Sequence, residues 1–220
     1  MKLFKKTFLT AATAIFLVFF GRLAYGESWG TVSINQSQAP VRFKISRPSS
    51  WQLELMDGPN EVSRGFFKFD RKISLDRGLI VTGTVPTEPD YDQSVNDVAA
   101  FSSDELIQLA KIVMATTLAP RNPVLSELTL VDTVKIKDLT GLRIRFNNSY
   151  MIKTDTFFNI HEVVMVLYKN KTNTAKSIII DCTYTGSNYD KLNIINIFNS
   201  EYSSICQRFY SSLSILDIKN

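Results

Sequence analysis

Between Val41 and Ser46 apolar and polar residues take turns, with Val41, Phe43 and Ile45 set against Arg42, Lys44 and Ser46. A two-residue repeat sends successive side chains to opposite faces, so this stretch predicts a half-buried strand. Pro48 lacks the N–H that a ladder needs and holds Arg47 extended, which ends the strand. After "PSS" the alternation resumes with Trp51, Leu53 and Leu55, followed by a "DGPN" turn. "GFFKFD" then places Phe67 and Phe69 on one side, and "GLIVTGTV", bounded by Gly78 and Pro86, reads as a further strand.

The period then changes. Residues 86–101, "PTEPDYDQSVNDVAAF", are acidic and turn-rich and read as a surface loop approaching a helix. Ser102 and Glu105 have capping-box spacing, and Leu106, Leu109, Ile112 and Val113 follow at helical intervals. A helix over 103–118 is expected, stopped by Pro120 and Pro123 in "APRNP". Next, "ELTLVDTVKIK" and "GLRIRFN" flank "DLT" and Gly141 as a hairpin, and residues 163–168 and 176–184 flank "KNKTNTA" as a second. "VVMVLY" and "SIIID" are nearly continuous apolar runs, which predict central strands covered on both faces. Tyr202, Ile205, Cys206, Phe209 and Leu213 describe an amphipathic helix near the C-terminus. The whole reads as one α+β domain over 41–216, a mostly antiparallel sheet packed with two helices. Residues 27–40 read as a loosely held lead with a lone Trp29, and 217–220 as a tail.

The first 26 residues are of another kind. Lys2, Lys5 and Lys6 precede an uncharged stretch from Phe8 to Phe20, and Ala24-Tyr25-Gly26 supplies small residues for cleavage before Glu27. That is the pattern of a cleaved signal peptide over 1–26. The apolar run is short for a bilayer span, and retention as an uncleaved anchor is the alternative. A periplasmic or secreted protein with no stable membrane insertion after cleavage is expected. The cut also changes the charge: the chain has 25 Lys+Arg against 21 Asp+Glu, and losing Lys2, Lys5, Lys6 and Arg22 leaves 21 of each sign. A mature chain so close to neutral lacks the basic excess that a nucleic-acid partner would call for.

Two cysteines remain, Cys182 and Cys206. In an oxidising compartment they are a disulfide candidate; two separately buried thiols are the alternative. Their spacing matches neither a CxxC redox site nor a zinc site.

Candidate chemistry is sparse. The sole histidine, His161, precedes Glu162 in "FFNIHEVVMV", but strand neighbours point to opposite faces, and no G-x-S-x-G elbow is present. His161 therefore reads as a strand residue making an ordinary hydrogen bond, with no catalytic residue assigned. Glu88, Asp90, Asp92 and Asp97 lack EF-hand spacing and its glycine, and no phosphate-cradling motif occurs. No metal and no cofactor is expected. N-x-[ST] sequons stand at Asn35, Asn147 and Asn170. Loops carry function more often than scaffolds do, which makes Glu88, Asp90, Tyr91 and Asp92 a candidate partner-contact loop, with Tyr91 as its aromatic anchor.

The stretch "VRFKISRPSSWQLEL" also resembles the start of the Mog1/PsbP/DcrB-like superfamily, "f.i..P..W", through Phe43, Ile45, Pro48 and Trp51. Ser212-Leu213 resembles the group's "S-[FL]" ending, so the likeness would cover about 41–215. It implies a Mog1/PsbP-like sandwich and, by analogy, a non-catalytic role, since such domains serve as photosystem II assembly factors, a Ran-binding protein, periplasmic lipoproteins and adaptor chaperones. Fold alone does not fix function. The chain lacks the lipobox cysteine of the lipoprotein members, so their tethering does not carry over. Trp51 itself reads as a core plug, with a ligand-stacking platform as the alternative.

The expectation is an exported, non-enzymatic protein-binding or assembly factor of the cell envelope, whose partner is another envelope protein. The alternatives are an immunity or effector-linked protein in the periplasm, an unrecognised hydrolase, and a small-ligand carrier.

Overall fold

A computed structural model describes residues 28–34, 41–55, 63–74, 77–86, 98–118, 125–169, 175–187 and 191–218. The expected signal peptide and the 86–97 loop beyond Pro86 lie outside these residues. The described strands form two sheets. The larger contains β3 (Gln52–Leu55), β4 (Ser63–Ser74), β5 (Arg77–Pro86), β6 (Leu125–Ile136), β7 (Leu139–Ile152), β8 (Asp155–Lys169) and β9 (Ala175–Ser187). Its order is β3-β4-β5-β9-β8-β7-β6, with each neighbouring pair antiparallel. The smaller joins β1 (Trp29–Ile34), β2 (Val41–Pro48) and β10 (Ser214–Ile218), with β2 in the middle. The helices are α1 (Ser103–Leu118), α2 (Lys191–Ile197) and α3 (Ser203–Ser211), the last two joined through a π-helical turn at Phe198–Tyr202. This is the expected α+β class.

Each face of the large sheet carries its own core. On one face Leu142, Ile144, Phe146, Val163 and Met165 meet Leu109, Ala110 and Val113 of α1. On the other, Leu79, Val81, Val164 and Ile180 meet Phe198, Cys206 and Phe209, together with Phe43 and Ile45 of the small sheet. Every residue of β8 from Asn159 to Tyr168 is buried, as its apolar run foretold. The capping box is formed: the Ser102 N–H donates to Glu105 Oε2 at 2.7 Å, and the Glu105 N–H donates back to Ser102 Oγ at 3.4 Å. The backbone bond from Ser102 holds the Glu105 carboxyl below the usual carboxylate range.

The Pro48–Trp51 corner is architecture. The Trp51 N–H donates to the Pro48 carbonyl at 3.1 Å and the Ser49 N–H to the Ser28 carbonyl at 2.8 Å. Arg47 turns its guanidinium back onto the Pro48 and Trp51 carbonyls. The Trp51 ring is 2% exposed and lies 5.3 Å from that of Phe209. It plugs the core, which removes the ligand-platform alternative.

Three local readings differ from the structure. Residues 29–34, taken with the loose lead, form β1, which pairs with β2 from Trp29↔Pro48 to Ile34↔Phe43. Main-chain pairing to a neighbour leaves little trace in composition, and the Trp29 ring meets Phe209 at 5.2 Å. The C-terminal amphipathic segment is broken at Phe198–Tyr202, and Ser212-Leu213 falls beyond α3, just before β10. Gly141, read as part of a hairpin turn, sits inside β7. A Cβ there would stand 3.0 Å from Val164 Cγ1 and 3.2 Å from Ile136 Cδ1, so any larger residue would have to push these side chains aside by a few tenths of an ångström. The turn itself is Lys137-Asp138, with Lys137 at φ 53°.

Cys182 of β9 and Cys206 of α3 form a disulfide, with Cα atoms 5.8 Å apart across 24 positions. This settles the pairing against two separate thiols. Closing a loop of that length removes entropy from the unfolded chain, so a Cys182→Ala/Cys206→Ala variant is expected to lose about 3 kcal/mol of stability. Urea denaturation measures this, and a midpoint equal to that of the parent would refute it.

Candidate functional site

Strand β8 carries two ionisable neighbours, and the pleat sends them apart. His161 points towards the α1 face and Glu162 towards the α2–α3 face. Both side chains are fully buried. Buried polar groups cost free energy unless hydrogen-bonded, so each has drawn a network around it.

His161 Nδ1 lies 3.1 Å from both carboxylate oxygens of Asp181 on β9, and Nε2 lies 2.9 Å from Asn148 Oδ1 on β7. The Thr183 hydroxyl donates to Asp181 Oδ2 at 3.0 Å. The imidazole stacks on Phe146 with centroids 4.5 Å apart. Both ring nitrogens thus face acceptors, while Asn148 Nδ2 has no partner. Asn148, Asp181 and Thr183 are all at most 4% exposed. A buried histidine with both nitrogens engaged ties β7, β8 and β9 together.

On the opposite face Glu162 Oε1 accepts from the Tyr210 hydroxyl of α3 at 3.0 Å, and Oε2 accepts from Arg145. Arg145 also donates to Asn199 Oδ1 at 3.0 Å and Ser203 Oγ at 3.3 Å, and lies over the Phe198 ring at 5.2 Å. One buried carboxylate therefore fastens the sheet to both the π-helical turn and α3. On the same face Arg143 Nε donates to Asp132 Oδ1 at 2.8 Å. The Asp132 bond raises the Arg143 guanidinium further above its ordinary value. Burial, and then the Glu162 charge, push the Tyr210 hydroxyl well above the usual phenol range. Burial alone pushes Tyr168 up to about 12.

Concave surface gathers elsewhere, along β6. A cleft of about 380 Å³ lies between α1 and β6, floored by Leu106, Ile107, Leu128 and Val131. A second of about 230 Å³ opens on the other face between β6 and α2, with Arg145, Asn147 and Asn199 among its walls. A third of about 290 Å³ adjoins it at Ser126, Glu127 and Lys191.

The sequence-expected loop residues Glu88, Asp90, Tyr91 and Asp92 lie outside the described residues. His161 and Glu162 separate as the strand period required. Asp181, Thr183, Asn148, Arg145 and Tyr210 were missed, although polar residues inside apolar strands ("NNSY", "IDCTY") were the available signal. Asn147 of the second sequon is 5% exposed in β7, closed to glycosylation in the folded state. Among the described residues no cluster of three His, Cys, Asp or Glu suits a metal, and no helix is long and apolar enough to cross a membrane.

No family model matches the chain, and no curated protein does. Solved structures do resemble it. Cyanobacterial PsbP (CyanoP) from Synechocystis sp. PCC 6803 is 11% identical over 88% of this chain and 96% of its own, with a TM-score of 0.45. LpqN, involved in cell envelope biogenesis of Mycobacterium tuberculosis, is 8% identical over 85% and 91%, with a TM-score of 0.43.

Two outcomes follow from the buried networks. Glu162→Ala strands Arg145 and Tyr210 without their shared acceptor and is expected to cost about 3–5 kcal/mol, the range for removing one partner of a buried pair. A thermal or urea midpoint within error of the parent would contradict the network's role. Alkaline pH acts through Tyr168, which burial pushes up to about 12 from the ordinary phenol value of 10.0. The folded state favours the neutral phenol, so this stabilisation is complete below pH 10 and disappears as pH rises through 12. Tyrosinate absorbance should show Tyr168→Phe removing a late-titrating phenol, and loss of an early one instead would contradict the assignment.

Proposed function

We propose that this chain is an exported, non-enzymatic protein-binding or accessory factor of the cell envelope. The observation that carries the reading is the commitment of its one histidine: His161 is fully buried and bonded at both nitrogens by Asp181 and Asn148. Acid–base catalysis needs a group within reach of substrate, and this one serves the sheet. The Cys182–Cys206 bridge supports export, because structural disulfides persist in oxidising compartments. Contact with the partner is assigned to surface elements, including the segment of Glu88, Asp90, Tyr91 and Asp92.

The test is cross-linked capture of the tagged, exported protein from its own envelope, followed by mass spectrometry. One stoichiometric protein partner is expected, and Tyr91→Ala or Asp92→Ala should weaken its recovery if that segment makes contact. A hydrolytic activity lost in a folded His161→Ala variant would overturn the non-enzymatic reading.

A further inference from the structure

We propose that the free edge of β6 is a docking strand, to which an extended segment of a partner polypeptide adds as an eighth strand of the large sheet. This rests on the protein-binding reading and names the surface and the chemistry of its partner. The last strand of a sheet presents unpaired N–H and C=O groups to the outside, and these accept another strand. Among the described residues β6 spans twelve positions at one edge, against four for β3 at the other.

The edge is unguarded where it matters. Natural edges are blunted by proline, by outward lysines or by bulges; residues 128–131, Leu-Thr-Leu-Val, carry neither proline nor lysine, and a single bulge between Leu128 and Leu130 interrupts them. The charged residues of β6 on either side are hydrogen-bonded within the protein: Glu127 to Lys191, Asp132 to Arg143, and Lys135 to Thr140. The bulge between Leu128 and Leu130 has Thr129 satisfied from within, its hydroxyl donating to the Arg145 carbonyl.

Clefts stand on both faces of this same stretch. Thr129 and Leu130 line both the α1-side cleft and the α2-side cleft. Successive residues of an added strand point to opposite faces. One side chain therefore enters the α1-side cleft, among Leu106, Ile107 and Val131, and must be apolar. Its neighbour enters the α2-side cleft beside Arg145, Asn147 and Asn199. Arg145 already has Glu162 as counter-charge, so a neutral acceptor such as an amide or hydroxyl suits that position better than a second carboxylate. The fitting segment alternates aliphatic residues with Asn, Gln, Ser or Thr.

The test uses isotope-labelled mature protein and a panel of synthetic peptides of roughly nine residues, a full strand length, alternating Leu or Ile with Asn or Ser. Amide hydrogen exchange followed by NMR should slow by roughly tenfold or more within 126–131 as peptide saturates, since added ladder bonds protect the outward N–H groups. The same peptides with proline at alternate positions should leave exchange unchanged. Ile107→Lys, at an exposed position of the α1-side cleft, should weaken binding by roughly tenfold, about 1.4 kcal/mol. Met151→Lys, at an exposed position near the end of β7, should not. The proposal falls if no peptide of the panel slows exchange in β6, or if proline peptides bind equally well. It falls also if protection grows with protein concentration alone, because a second copy then occupies the edge. Failure here leaves envelope capture of a partner standing, whereas failure of that capture leaves the peptide result intact, so the two readings fail separately.

Discussion

Strand β8 is covered on both faces, and that constraint organises much of the molecule. Water cannot reach Asn159 to Tyr168, so any polar side chain there must be answered by protein or cost several kcal/mol. Two such groups sit back to back. His161 is answered within the sheet by Asp181, Thr183 and Asn148, which fixes the relative positions of β7, β8 and β9. Glu162 is answered from outside it, by Tyr210 of α3 and by Arg145, which in turn holds Asn199 and Ser203. The disulfide from Cys182, cross-strand partner of Glu162, lands on the same helix. The C-terminal segment is thus joined to the sheet by one covalent and one charge-assisted link within a small area, which accounts for its close packing despite the π-helical interruption.

This use of polar groups bears on function. A His–Asp pair is the most reactive-looking combination in the chain, and the structure devotes it to architecture: stacked on Phe146, shut from solvent, with both ring nitrogens engaged. What faces outward among the described residues is of a different character, a long sheet edge with uncharged residues at its centre and concave surface on either side. Surfaces of that sort recognise backbone and side-chain alternation in another chain.

Much of the fold was legible because its signals are local. The Pro48–Trp51 corner follows from a proline without an N–H to carry the ladder further and an indole that must be buried. Ser102 and Glu105 announce α1 because a helix's first N–H groups need acceptors within one turn. The apolar runs around Val163 and Ile178 mark central strands because both their faces are covered. The candidate site was far less legible. Asp181 lies twenty positions from His161, and Tyr210 lies forty-eight from Glu162; no periodicity links such pairs. β1 escaped notice because it is held by main-chain bonds to β2, whatever side chains it bears.

The sequence by itself determined the α+β class, the bounds of α1, the hairpins, and the burial of β8 and β9. Each rests on spacing within a few residues, where backbone geometry alone dictates which side chains share a face. The tertiary structure decided which distant groups meet: that Cys182 reaches Cys206, that His161 closes on Asp181, and that β6 rather than a longer-range neighbour ends the sheet. Those outcomes depend on strand order and register, properties of the assembled sheet that no short stretch of chain contains.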